Sequence, residues 1–71
     1  MRIVVAPVPG QIRQVHVVPG AQVAAGQVLF EMGVMQMQQR INAPVAGKIR
    51  LLLVGTGDVV AQGALLAEIS E

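Results

Sequence analysis

No cysteine occurs among the 71 residues, so neither a disulfide nor a thiolate metal site can hold this chain together. Aromatic side chains are almost missing: Phe30 stands alone, without Trp or Tyr. One ring gives nucleic-acid bases nothing to stack on, which argues against a single-stranded nucleic-acid surface. Charge is sparse at 13% of residues, and the net +1 is scattered over Arg2, Arg13, Arg40, Lys48 and Arg50. No basic stripe is therefore presented to a phosphate backbone. No apolar run approaches the ~20 residues a membrane-spanning helix needs; Leu51-Leu52-Leu53-Val54 is of strand length. The start of the chain, one Arg followed by Pro7 and Pro9, lacks the form of a secretory leader. These absences lead to the expectation of a soluble cytoplasmic protein that binds neither nucleic acid nor membrane.

What is present is apolar density and repetition. With 54% apolar residues the chain has the material for one core, and its length allows one domain, residues 1–71. Sliding the sequence by 37 positions lays residues 6–34 on residues 43–71 without a gap. Thirteen of the 29 pairs are identical, among them Ala6/Ala43, Pro7/Pro44, Gly10/Gly47, Ile12/Ile49, Gly20/Gly57, Leu29/Leu66 and Glu31/Glu68. Chance would give roughly two or three. Val, Ile and Leu in short runs between glycines, with no helix-period stripe, read as many short strands. The expected strands are 3–6, 11–18, a short segment from Val23, and 28–32, then 38–43, 48–54, 59–60 and 65–69. In the long strand of each half, Ile12, Val15 and Val17 face inward, as do Ile49, Leu52 and Val54, which requires a bulge near Arg13-Gln14 and near Arg50-Leu51. The predicted core is Ile12, Val17, Val23, Leu29, Ile49, Val54, Val60 and Leu66. Two halves too small to bury their own faces should interlock about a pseudo-two-fold axis. The predicted fold is all-β, a flattened barrel or sandwich of two four-stranded antiparallel sheets. Residues 33–37 form the turn between the halves, at the end opposite the termini.

The run Gly26-Gln27-Val28-Leu29-Phe30-Glu31-Met32-Gly33-Val34-Met35-Gln36-Met37, followed by Ile41-Asn42-Ala43-Pro44-Val45-Ala46-Gly47-Lys48-Ile49, resembles the biotinyl/lipoyl attachment domain family. Gly55-x-Gly57-Asp58-x-Val60-x-x-Gly63 extends the likeness over nearly the whole chain. Met35 and Met37 bring it closest to the biotin carboxyl carrier branch, where Glu-Ala-Met-Lys-Met sits at a hairpin turn and its lysine carries biotin. The resemblance implies a non-catalytic carrier whose cofactor is biotin. It also implies three partners: a biotin carboxylase, a carboxyltransferase and biotin protein ligase. The departures are equally specific. Gln36 stands at the acceptor position, and Gly33 and Val34 replace the Glu and Ala before the first Met. A primary amide has its nitrogen lone pair delocalised into the carbonyl and cannot attack biotinyl-adenylate as an amine does. The expectation is a chain that carries no cofactor at its own tip. Lys48, the only lysine, is the alternative acceptor, and it pairs with Gln11 in the repeat, away from the turn.

The remaining candidates carry less. His16, the only histidine, has outward parity and reads as a solvated surface group. Asp58 and the three glutamates are not at metal-ligand spacing. Glu31 and Glu68 are repeat mates on opposite halves and read as structural, and Ser70 has no base beside it in sequence. Met35 and Met37 either cap the barrel end or serve as adaptable recognition groups. Leu51 and Leu53 face outward where their mates are Gln14 and His16, suggesting a contact patch for a partner or a second copy. Three functions follow in order. The first is a carrier domain of a biotin-dependent carboxylase system with its acceptor lost. The second is an unmodified docking or regulatory module of a carboxylase-like complex. The third is the two-half barrel of a membrane-fusion adaptor, in which a long helical hairpin separates the halves.

Overall fold

Short segments rich in Val, Ile and Leu, most of them closed by a glycine- or proline-containing turn, leave no room for a helix. The computed structural model describes all 71 residues and contains only strands: β1 (Arg2–Val5), β2 (Gly10–Val15), β3 (Gln22–Val23), β4 (Val28–Val34), β5 (Met37–Asn42), β6 (Gly47–Leu52), β7 (Val59–Val60) and β8 (Leu65–Ser70). They build two antiparallel four-stranded sheets, in the orders β1-β8-β6-β3 and β5-β4-β2-β7. The sheets stay open at β1, β3, β5 and β7, so the molecule is a sandwich and not a closed barrel. Its dimensions are 33 × 17 × 17 Å.

A shift of 37 residues carries β1, β2, β3 and β4 onto β5, β6, β7 and β8, and so converts one sheet order into the other. The 14 backbone hydrogen bonds outside the ladders fall into seven pairs related by the same shift. For example, Gly20 N–H donates to Ile49 C=O at 2.8 Å, and Gly57 N–H donates to Ile12 C=O at 2.7 Å. Each sheet draws strands from both halves. β1 pairs with β8, β3 with β6 and β2 with β7, so neither half has a sheet of its own. The expected bulges are present, as register shifts between Ile12 and Gln14 and between Ile49 and Leu51.

The core holds 15 buried apolar residues, with Phe30, Ile12, Leu29, Met32, Ile49, Leu66 and Ile69 fully enclosed. Seven of the eight residues expected from the repeat are buried; Val54 is half-buried against the cluster. Val15 and Leu52 are also only half-buried. The long strands end at Val15 and Leu52, short of the expected 18 and 54. The reason is topological: β2 and β3 lie in different sheets, as do β6 and β7, so the chain must leave its ladder there to cross over. The connector is tighter than 33–37. β4 runs through Val34 and β5 begins at Met37, leaving Met35 and Gln36 as the whole loop.

Candidate functional site

The β4–β5 hairpin is in register to its last pair: Glu31 with Arg40, Met32 with Gln39, Gly33 with Gln38 and Val34 with Met37. A two-residue loop between twisted strands selects turns with a positive φ at the first loop position. Met35 takes that position at φ 57°, the one non-glycine residue in the chain with positive φ. The loop projects into solvent, with Met35 96% and Met37 76% exposed. Gln36 is exposed between them. Below the loop, Met32 is fully buried and anchors the hairpin in the core. The methionines at the tip therefore do not fold back as a cap on the core.

Three side chains brace the base of this hairpin. Glu31 is mostly covered, its side chain 17% exposed. His16 Nε2 lies 2.6 Å from its Oε2, and Gln38 Nε2 donates to its Oε1 at 2.7 Å. His16 follows the end of β2, so the contact ties β2, β4 and β5 together across the sheet. His16 is exposed on the outward face, as its parity implies, and there it also reaches Glu31 on the neighbouring strand. Arg13, on β2, lies over Gly33. A Cβ at Gly33 would stand 2.5 Å from its Nε, so the missing side chain is what makes room for the guanidinium. Arg13, Gly33, Met35, Gln36, Met37 and Gln38 line an open cleft of about 370 Å³. Sequence reasoning passed over Arg13 and Gln38. The signal for Arg13 was available, since Gly33 has Ser70 as its repeat mate and only the glycine admits a side chain from the adjacent strand.

Lys48 is remote from this site. It pairs with Ser70 on β8 and Gln22 on β3, beside the C-terminal end of the chain. β2 begins next to the hairpin tip, where Gln11 pairs with Gly33, and runs away from it. β3 then lies against Lys48, so the tip and Lys48 occupy opposite ends of the long axis. Glu68 pairs with Arg50 at 3.6 Å in the other sheet, apart from Glu31. No three His, Asp or Glu side chains come together as metal ligands. Leu51 and Leu53 are exposed on β6 and just beyond it.

Two interlocked four-stranded sheets with an exposed two-residue hairpin between like halves are the fold of biotinyl/lipoyl attachment domains. The chain belongs to the biotinyl/lipoyl attachment family: the family model described as "biotin-requiring enzyme" matches residues 3–69. A search of curated proteins found no match. Among solved structures, urea carboxylase of Kluyveromyces lactis is similar over 97% of this chain, with a TM-score of 0.90 and 25% identity. A single-chain, multi-domain long-chain acyl-CoA carboxylase is similar over 93%, with a TM-score of 0.88 and 32% identity. The present chain spans only 6% and 7% of those two proteins. The lipoyl domain of the 2-oxoglutarate dehydrogenase complex from Azotobacter vinelandii shares the fold, at a TM-score of 0.77 and 23% identity over 90% of this chain and 81% of its own. Domains of this family are carrier modules rather than catalytic ones, and this one resembles the carrier domains of carboxylases.

Proposed function

We propose that this chain is a biotin carboxyl carrier-type domain of a biotin-dependent carboxylase system, one whose acceptor position is held by Gln36 and which therefore takes up no biotin there. The observation that carries the reading is the tip itself. Gln36 is the second residue of an exposed two-residue loop flanked by Met35 and Met37, while the one lysine, Lys48, lies at the far end. The residues present do not fit a covalently held biotin. An amide nitrogen supplies no nucleophile at the tip, and Lys48 sits in a ladder without a projecting hairpin around it. The likeness to two carboxylases supports the choice of system, and with it a biotin carboxylase, a carboxyltransferase and biotin protein ligase as the partners.

The test is modification by biotin protein ligase with ATP and biotin, followed by intact mass. The wild-type chain should gain nothing, and Gln36→Lys should gain one biotin. Biotin on the wild-type chain would overturn the reading and point to Lys48. The second reading is an unmodified docking module, and the departures at Gly33 and Val34 from the usual Glu and Ala support it, Gly33 leaving the space that the Arg13 side chain fills. If Gln36→Lys combined with Gly33→Glu and Val34→Ala still gains no biotin, the disabled-carrier reading fails and the docking-module reading gains. The adaptor-barrel reading gains no support, since only Met35 and Gln36 separate the two halves.

A further inference from the structure

We propose that Arg13 makes the hairpin tip a docking surface for a protein partner that presents a carboxylate beside an apolar recess. The proposal rests on the reading that this hairpin docks, which the carrier and the docking module share, and it adds the partner's chemistry. The two sheets supply an internal control. Arg13 and Arg50 are repeat mates, each set in the bulge of its long strand by the register shifts Ile12/Gln14 and Ile49/Leu51. A bulge re-aims the side chain it carries. Arg50 turns to the carboxylate of its own sheet, its Nη1 3.6 Å from Glu68 Oε2. Arg13 has the equivalent carboxylate, Glu31, on the strand beside it and makes no ion pair with it. Exchanges between the halves account for this. Where the other sheet has Leu53 and Met1, this one has His16 and Gln38, and they take both oxygens of Glu31 at 2.6 and 2.7 Å. Where the other sheet has Ser70, this one has Gly33. The Arg13 guanidinium lies in the space a side chain would fill there, its Nε 2.5 Å and its Nη2 3.2 Å from the place of a Cβ. The cation is thus held beside the tip without a counter-ion.

The chain has no carboxylate left to give it. Glu31 is taken, Glu68 faces Arg50, Glu71 faces Arg2, and Asp58 accepts from Gly55 N–H. The cleft that Arg13 lines contains no acidic residue. Arg40 is also unpaired, but it stands lower on β5 and outside that cleft. A guanidinium is a planar fork of N–H donors that matches a carboxylate with two parallel hydrogen bonds. In open water such a pair is worth little, so it selects a partner only where water is excluded around it. The tip has the means. Met35 and Met37, 96% and 76% exposed, flank the same cleft, and their flexible thioethers adapt to an apolar recess. A free small anion would cover Arg13 and leave both methionines in water. A protein surface covers all three, and that decides the class of partner.

The experiment selects random peptides displayed on phage against the intact wild-type chain at low salt, with Gln36 in place and neither ligase nor biotin present. Enriched sequences should place Asp or Glu within a few residues of Leu, Phe or Met. As synthetic peptides they should shift the Arg13 Nε–H resonance and the Met35 and Met37 methyl resonances. Arg13→Gln should weaken binding about tenfold or more, Arg13→Lys by less, and Arg40→Gln not at all. Replacing the peptide's acid by its amide should cost as much, and combining that change with Arg13→Gln should cost little further. Added salt should weaken the wild-type complex and leave the amide peptide's binding unchanged. The peptide-side change leaves the chain intact, so an unstable Arg13 variant does not blunt the test. No enriched peptide, enriched peptides without an acid, or binding indifferent to Arg13 overturns the proposal. So does sodium acetate alone binding at Arg13 as tightly as the peptides with the methionine methyls unmoved, which makes the cleft a small-anion site. Biotin uptake by Gln36→Lys is read separately by mass, so this proposal and the carrier reading fail independently.

Discussion

Met35 holds a left-handed φ of 57° that side chains other than Gly, Asn and Asp adopt at a cost of roughly 1–2 kcal/mol. Its side chain is 96% exposed and contributes no packing in return. Met35→Gly removes that strain and adds about 0.4–1 kcal/mol of unfolded-state entropy, so urea unfolding should show a stability unchanged or raised by up to ~1.6 kcal/mol. Met35→Val, β-branched at the same φ, should be less stable than wild type in the same assay. The strain sits at the one loop whose exposure the proposed carrier role needs, which is where proteins keep such conformations. Gln36 and its two methionines were legible from motif spacing alone. The His16–Glu31–Gln38 contacts were not, because they join residues 15 and seven apart in sequence through a strand register that a bulge shifts by one.

At the scale of elements, β2 and β6 start where two backbones come unusually close. A Cβ at Gly47 would lie 2.5 Å from the Ser70 carbonyl oxygen and 2.7 Å from Ile69 Cγ2, and one at Gly10 would lie 2.6 Å from the Gly33 carbonyl oxygen. Rigid backbone cannot yield as a side chain does, so Gly47→Ala and Gly10→Ala should each cost ~1–3 kcal/mol or more. Gly55→Ala, with open space around it and an ordinary φ, should change stability by less than ~0.5 kcal/mol. Thermal melts of the three variants would decide this, and equal losses at 10, 47 and 55 would contradict it. The strands and both bulges could be read from parity and repetition, since Ile12, Val15 and Val17 fit no unbroken period of two. Strand ends could not, because a crossing between sheets leaves no composition mark at His16 or Leu53.

For the whole molecule, the two halves contribute matching anchors to one core. Leu29→Ala and Leu66→Ala, both at fully buried sites, should each cost ~2–5 kcal/mol, with similar losses measured by denaturant titration. Because β1–β8, β2–β7 and β3–β6 all join one half to the other, peptides 1–35 and 36–71 should be unstructured apart and regain β-sheet circular dichroism when mixed. Two independently folded peptides would show that the interlocking is not required. The repeat made the symmetry legible, but not which strands share a sheet. Ile3 and Leu51 look unrelated along the chain, and only the order β1-β8-β6 sets them in one row. The same symmetry gives the hairpin loop an equivalent at the other pole, where Arg2 Nε and Glu71 Oε1 lie 3.7 Å apart. Topologically the strands form a ring with two interchangeable corners. A circular permutant, closed there by a three-residue linker standing for Met35, Gln36 and Met37 and opened between Met35 and Gln36, should keep the fold, and a lysine at the middle of the linker would move the carrier end of the domain to the opposite pole.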